Sequence, residues 1–287
     1  MRKLRIDHST EYGFGSQVTL LPHNLLLRPR ESHGLRIVSS TLSISVPHRL
    51  RWQRDAFDNS VALVTFSMPA SSLSLVSQVL IEHFDEAPLD FIVEPQAAFY
   101  PFSYSPEDAI VLAPLCAPAW PTARPAVADW LRGLALGQAR IETFVLLDQI
   151  NRAIGRDFRY EAREEPGVQS PSLTLSRRSG SCRDFAALFI EACRHLGIAS
   201  RFVSGYHTSP PQEIGPGSTH AWAEVYLPGP GWKGFDPTAG VVTGSEHIPV
   251  AVARHPELVP PVAGSYVGSG ELHPSMRVWV RVETLPR

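Results

Sequence analysis

Between Thr41 and Pro47 (TLSISVP) apolar and small polar residues alternate, the mark of a strand with one buried face. Arg49 to Ser67 (RLRWQRDAFDNSVALVTFS) predicts a hairpin, with Asp58-Asn59 in its turn and β-rich flanks. Ser71 to Phe84 adds a further strand, and no convincing helix precedes residue 100. Strands without helices to cover them pack sheet on sheet, so residues 1–100 are expected to form an antiparallel, sandwich-like β-rich domain.

The pattern then changes twice. From residue 101 to 139, prolines at 101, 106, 114, 118, 121 and 125 interrupt short apolar stretches, which predicts a connector with one or two short helices. Residues 140–287 mix both periods. Phe144, Val145, Leu147 and Ile150 predict a helix over Ile141 to Ile154, with Gly155 as its stop. Phe185, Leu188, Phe189, Ala192, Cys193 and Leu196 form the apolar stripe of a helix from Cys182 to Leu196, with Gly197 just beyond. Strands are expected at Arg201–Tyr206, His220–Leu227, Trp232–Asp236, His247–Val252 and Met276–Val282. The expected fold class is α+β.

Composition narrows the field. A net charge of -2 argues against a nucleic-acid binder. The three cysteines form no CxxC pair, which disfavours a disulfide framework or zinc ribbon. The start, MRKLRIDHST, has no apolar run behind its basic residues, and no stretch approaches a membrane span. The expectation is a cytoplasmic protein with reduced thiols and no membrane partner. His8, His23, His33 and His48 lack the HExxH type of ligand spacing, so neither metal nor cofactor is expected.

The chemistry gathers at three points. Ser181 before Cys182, with Asp184 three residues on, reads as a helix N-cap with an approximate capping box. Cys182 then sits in a first helical turn, where unpaired N–H groups and the dipole favour a thiolate. Arg183 would assist that thiolate and Asp184 oppose it. In HAWAEVYL, alternation sets His220, Trp222, Glu224 and Tyr226 on one strand face. Pro228 to Gly231 turns the chain, and GWKGFD brings Asp236 back toward His220. A thiol needs a base, and an imidazole needs an acceptor on its other nitrogen. Cys182, His220 and Asp236 supply all three. The hairpin must take a register such as Tyr226 opposite Trp232, or carry a bulge that shifts it by one; an unbulged pairing of Leu227 with Trp232 would turn Asp236 to the face away from His220.

The blocks GSCRDFA, HAWAEVYLPG and GWKGFDPT resemble the bacterial transglutaminase-like superfamily. PHNLLLRPR and RWQRDAFDNSVALVTF are similar to the β-rich N-terminal domain of those proteins, and HIPVAVARHPELVPP to their tail. Two departures are Ala239, where relatives often carry Asn, and Pro256, where an aromatic is usual. The resemblance implies a papain-like core with Cys182 as nucleophile, His220 as base and acid, and Asp236 as orienter. It further implies Tyr160 as a second oxyanion donor beside the Cys182 N–H. Trp222 is a candidate roof of the substrate site, with a core aromatic as the alternative.

The expected activity is acyl transfer or hydrolysis at an amide of a protein or peptide, through a Cys182 thioester. A non-catalytic binding module on the same fold is the alternative. An N-acetyltransferase is a third reading, for which no acyl-CoA signature is seen.

Overall fold

The computed structural model describes residues 1–84, 88–134, 140–163, 165, 167–208, 219–268 and 274–286. The first six strands are β1 (Arg2–Leu20), β2 (His23–Leu25), β3 (Leu35–Ile44), β4 (His48–Arg54), β5 (Ser60–Phe66) and β6 (Ala70–His83). A short β7 (Phe99–Tyr100), α1 (Pro106–Cys116) and α2 (Arg124–Gly133) follow. Next come β8 (Ile141–Glu142), α3 (Thr143–Asp157), β9 (Arg159–Tyr160), α4 (Pro171–Arg177), β10 (Ser179–Gly180) and α5 (Cys182–His195). The remainder is β11 (Ser200–His207), β12 (His220–Leu227), β13 (Gly231–Asp236), β14 (Val241–Val242), β15 (His247–Ala253), β16 (Val262–Ala263), β17 (Tyr266–Val267) and β18 (Ser275–Leu285). The class is α+β: every sheet is antiparallel except the small β9–β10 pair.

Two sheets make the β-rich part. In one, β6 lies between β1 and β3, and β1 pairs on its other side with β17 and β18. The second runs β16-β2-β5-β4. Phe14, Val18, Leu73 and Leu75 of the first meet Leu25, Ala62 and Val64 of the second in one apolar cluster, as alternation demands. The tail, which the sequence groups with residues 140–287, hydrogen-bonds instead to this first sheet, Lys3 opposite Leu285 and Gly13 opposite Ser275.

The connector expected over 101–139 carries α1 and α2, and residues 135–139 lie outside the described ones. Helix α3 does not stop at Gly155; it runs on to Asp157 and is capped at Phe158. Gly155 serves a different need. A Cβ there would lie 3.2 Å from the Pro237 carbonyl and 3.1 Å from the Gly240 N–H nitrogen, so its bareness lets α3 press against the loop following Asp236.

A third sheet, β14-β13-β12-β11-β15, packs one face on α5. Ala221, Ala223, Val225 and Leu227 of β12 join Phe185, Leu188, Phe189 and Ala192 of α5 in the main core. The other face buries Val203, Trp222 and Val252. Asn59, in the turn of the β4–β5 hairpin, ties the two parts together. Its amide donates to the Val252 carbonyl (2.7 Å) and accepts from the Val252 N–H (2.8 Å), pairing with β15 as a strand would.

Candidate active site

Cys182 opens α5 and is half-buried. Two short-range features fix it there. The Asp184 carboxylate reaches back to the Ser181 N–H (2.8 Å), holding the N-cap. Gly180, hydrogen-bonded beside Tyr160 in the β9–β10 pair, has no room for a side chain; a Cβ would meet Asp184 Cβ at 2.9 Å. Asp184 itself is fully buried, yet its charge is matched. Arg163 donates to both its oxygens (2.8 and 2.9 Å), and the Gln169 N–H to one (2.7 Å). The acid expected to oppose a thiolate is therefore neutralised by a partner the sequence reading missed. Arg183, expected to assist the thiolate, instead donates to the backbone carbonyls of Arg163 and Glu165 along the cleft.

The β12–β13 hairpin pairs Tyr226 with Trp232, a register that satisfies the sequence argument. His220 and Asp236 consequently meet: Nε2 lies 2.7 Å from Oδ2, both residues almost wholly buried. Asp236 Oδ1 accepts from the Thr238 N–H (2.9 Å), which fixes the carboxylate at the strand end. The other imidazole nitrogen, Nδ1, is buried with no conventional hydrogen-bond partner among the described residues, and the Cys182 thiol, which lines the same cleft, is close enough to act on the ring. Burial alone would lower the His220 pKa, but the charge and hydrogen bond of Asp236 outweigh it, and Cys182 adds to them. The net effect lifts it to about 10. Burial would likewise raise Asp236, whereas His220 and then His247 hold it well below the usual carboxylate range.

Cys182 and His220 open onto a cleft of about 740 Å³, whose walls include Tyr160, Arg183, Ala221, Pro256 and Glu257. Tyr160 thus stands beside Cys182, its hydroxyl pushed up by burial and by the neighbouring thiol. Trp222 does not roof this cleft. On the face away from α5, which it shares with His220, its ring is 2% exposed and packs beside His220 and against His247 (ring centroids 6.0 and 5.2 Å). The core-aromatic alternative describes it.

His247 is the residue that sequence reasoning passed over. Its Nε2 lies 3.1 Å from the same Asp236 oxygen that receives His220. It begins β15 as His220 begins β12, and its register partner is His207, a pairing visible only once the sheet is assembled. Donor atoms of His207, Asp236 and His247 all lie within 4.8 Å of one another, close enough to share a metal ion. Asp236 Oδ2 already faces two imidazole nitrogens, so the group reads as a hydrogen-bond network. The four N-terminal histidines weighed for metal binding take no part in it.

Residues 142–237 match the Transglutaminase-like superfamily, and residues 4–82 match the Bacterial transglutaminase-like N-terminal region. A relative in Mycobacterium tuberculosis, the uncharacterized protein Rv2569c, is 30% identical over 91% of this chain and 87% of its own length. The chain belongs to the transglutaminase-like superfamily. The uncharacterized protein ML0607 of Mycobacterium leprae is 38% identical over a shorter stretch, 36% of this chain and 38% of its own length. Among solved structures, a candidate cysteine protease from Cytophaga hutchinsonii shares the fold. Its TM-score is 0.75, with 18% identity, covering all of this chain and 91% of that one. This transglutaminase-like protein is thus of a general cysteine hydrolase or transferase kind.

Proposed function

We propose that this chain is a thiol enzyme that cleaves or transfers the acyl group of a protein or peptide amide. The observation that carries the reading is the 2.7 Å contact between His220 and Asp236, with the second imidazole nitrogen left unpaired and a half-buried thiol lining the same open cleft. An imidazolium beside a cysteine at a helix start favours its thiolate.

In the proposed reaction the Cys182 thiolate attacks the amide carbon, and a C–S bond forms. The tetrahedral oxyanion is received by the Cys182 N–H in the first turn of α5 and by the Tyr160 hydroxyl. Each such donor stabilises the transition state by about 3 kcal/mol. As the C–N bond breaks, His220 gives its Nδ1 proton to the departing nitrogen, leaving a thioester and a neutral imidazole. Water or an amine then attacks the thioester and gives a proton to His220. The C–S bond breaks, and the thiolate–imidazolium pair is restored.

The test is labelling with a thiol-directed, amide-mimicking probe, followed by mass spectrometry of the modified peptide. Selective modification of the peptide containing Cys182, lost in Cys182→Ala while the fold persists, is the expected outcome. Equal modification of all three cysteines in the native protein would refute the assignment and leave the binding-module reading in its place.

A further inference from the structure

We propose that His247 is a positioning residue for the Cys182–His220–Asp236 group, a second imidazole clamp that fixes the Asp236 carboxylate from behind. The inference rests on the thiol-enzyme reading above and adds to it a residue outside the three.

Asp236 is fully buried and holds its orientation through three contacts. The Thr238 N–H anchors Oδ1 at 2.9 Å. Oδ2 receives both His220 Nε2, at 2.7 Å, and His247 Nε2, at 3.1 Å. The tautomer of His247 follows from its contacts. The Gly244 N–H points at its Nδ1 (3.4 Å), so that nitrogen accepts and Nε2 carries the hydrogen. With its hydrogen on Nε2, the ring is a donor to Asp236 Oδ2.

The ring is itself held. The His247 N–H donates to the Gly244 carbonyl (2.9 Å), closing a tight turn around the side chain. Trp222 packs edge-on at 5.2 Å between centroids, and His207 at 4.5 Å. The groups facing the network are thus Cys182, His207, His220 and Asp236, with Glu246 at 4.0 Å from His207. Such outer partners set the geometry of a reacting group without touching the substrate. A carboxylate with only its Oδ1 anchor could turn about its χ2 bond and leave His220 without a fixed acceptor. His220 could then no longer keep Nδ1 aimed at Cys182.

The experiment compares the rate of Cys182 alkylation by iodoacetamide, read from the modified peptide, in wild type, His247→Leu, His247→Gln and His247→Asn. The Gln amide nitrogen occupies about the place of Nε2, whereas that of Asn stops near the place of Nδ1. A lost hydrogen bond to a charged group corresponds to about a ten- to a hundredfold slower reaction. We expect His247→Leu and His247→Asn to show that loss and His247→Gln to recover most of it, with thermal unfolding recorded for each. Equal rates in folded Gln and Asn variants would overturn the proposal, and that comparison stands even if His247→Leu fails to fold. If wild-type Cys182 reacts no faster than Cys116, the thiol-enzyme reading itself fails. If Cys182 is selectively reactive and all His247 variants match wild type, only the clamp is refuted.

Discussion

Gly205 of β11 stands where the Trp222 ring passes: a Cβ there would come within 2.5 Å of the indole and closer still to the Ile248 carbonyl. The ring occupies that space beside His220 and His247 because the neighbouring strand offers no side chain. Gly205→Ala should therefore destabilise the protein by about 1–3 kcal/mol through overpacking, measured as a lower midpoint in urea. It should also slow Cys182 labelling, since the displaced indole presses on both imidazoles. An unchanged midpoint would show that the sheet yields at this point.

The His220–Asp236 pair makes stability depend on pH in a defined sense. His220 is raised from 6.5 to about 10, so its contribution is complete below pH 6.5 and is lost as pH rises toward 10. Asp236 is lowered from 3.8, so its contribution is present above that value and is lost as pH falls through its depressed value. Wild type should accordingly unfold more readily in urea at pH 9.5 than at pH 6, and Asp236→Asn should flatten that slope. Parallel slopes in the two proteins would contradict the pairing.

In the reaction, Asp236→Asn should cost on the order of 10⁴-fold in the rate of Cys182 probe labelling, through loss of the imidazolium partner and a wrong tautomer. A rate within a factor of a few of wild type would mean that another group orients His220.

The remaining cysteines should be inert under native conditions. Cys193 is fully buried on the apolar face of α5, and burial drives its thiol far up. Cys116 is shifted the same way by partial burial. Alkylation timed by mass spectrometry should modify neither before Cys182, and both only after denaturation.

Arg163, in the loop between β9 and α4, is expected to matter for folding. Arg163→Leu leaves buried Asp184 without its cation and should destabilise by about 3 kcal/mol. Adding Asp184→Asn should recover part of the loss in urea unfolding. No recovery in the double variant would mean that the guanidinium acts through packing alone.

Much of this was readable from residue order because short-range rules governed it. Ser181-Cys182 and Gly197 bound α5 as cap and C′ residue, Gly197 having φ +77°. Alternation in HAWAEVYL together with the two-strand register placed Asp236 on the side of His220. What escaped depends on elements brought together from afar. Gly155 reads as a helix stop, but it is a point of close approach to Pro237. Trp222 reads as a possible roof until the sheet's position on α5 shows which face is inner. His247 has no local signal at all; its meaning arises when β15 is laid beside β11. The pairing of Arg163 with Asp184 joins a loop to a helix start, and no periodicity announces it.

The pairing of β1 with β18 carries a kinetic consequence. Lys3 meets Leu285, so β1 acquires one of its neighbours only after all the residues between the two have been synthesised. Contacts of such separation close slowly, because a long loop must be ordered before they form. Until then β1 presents an open edge, which can capture a stray strand as readily as its own. Efficient synthesis should thus depend on β18 arriving before another nascent chain does, and expression at lower temperature and lower chain density should raise the soluble yield.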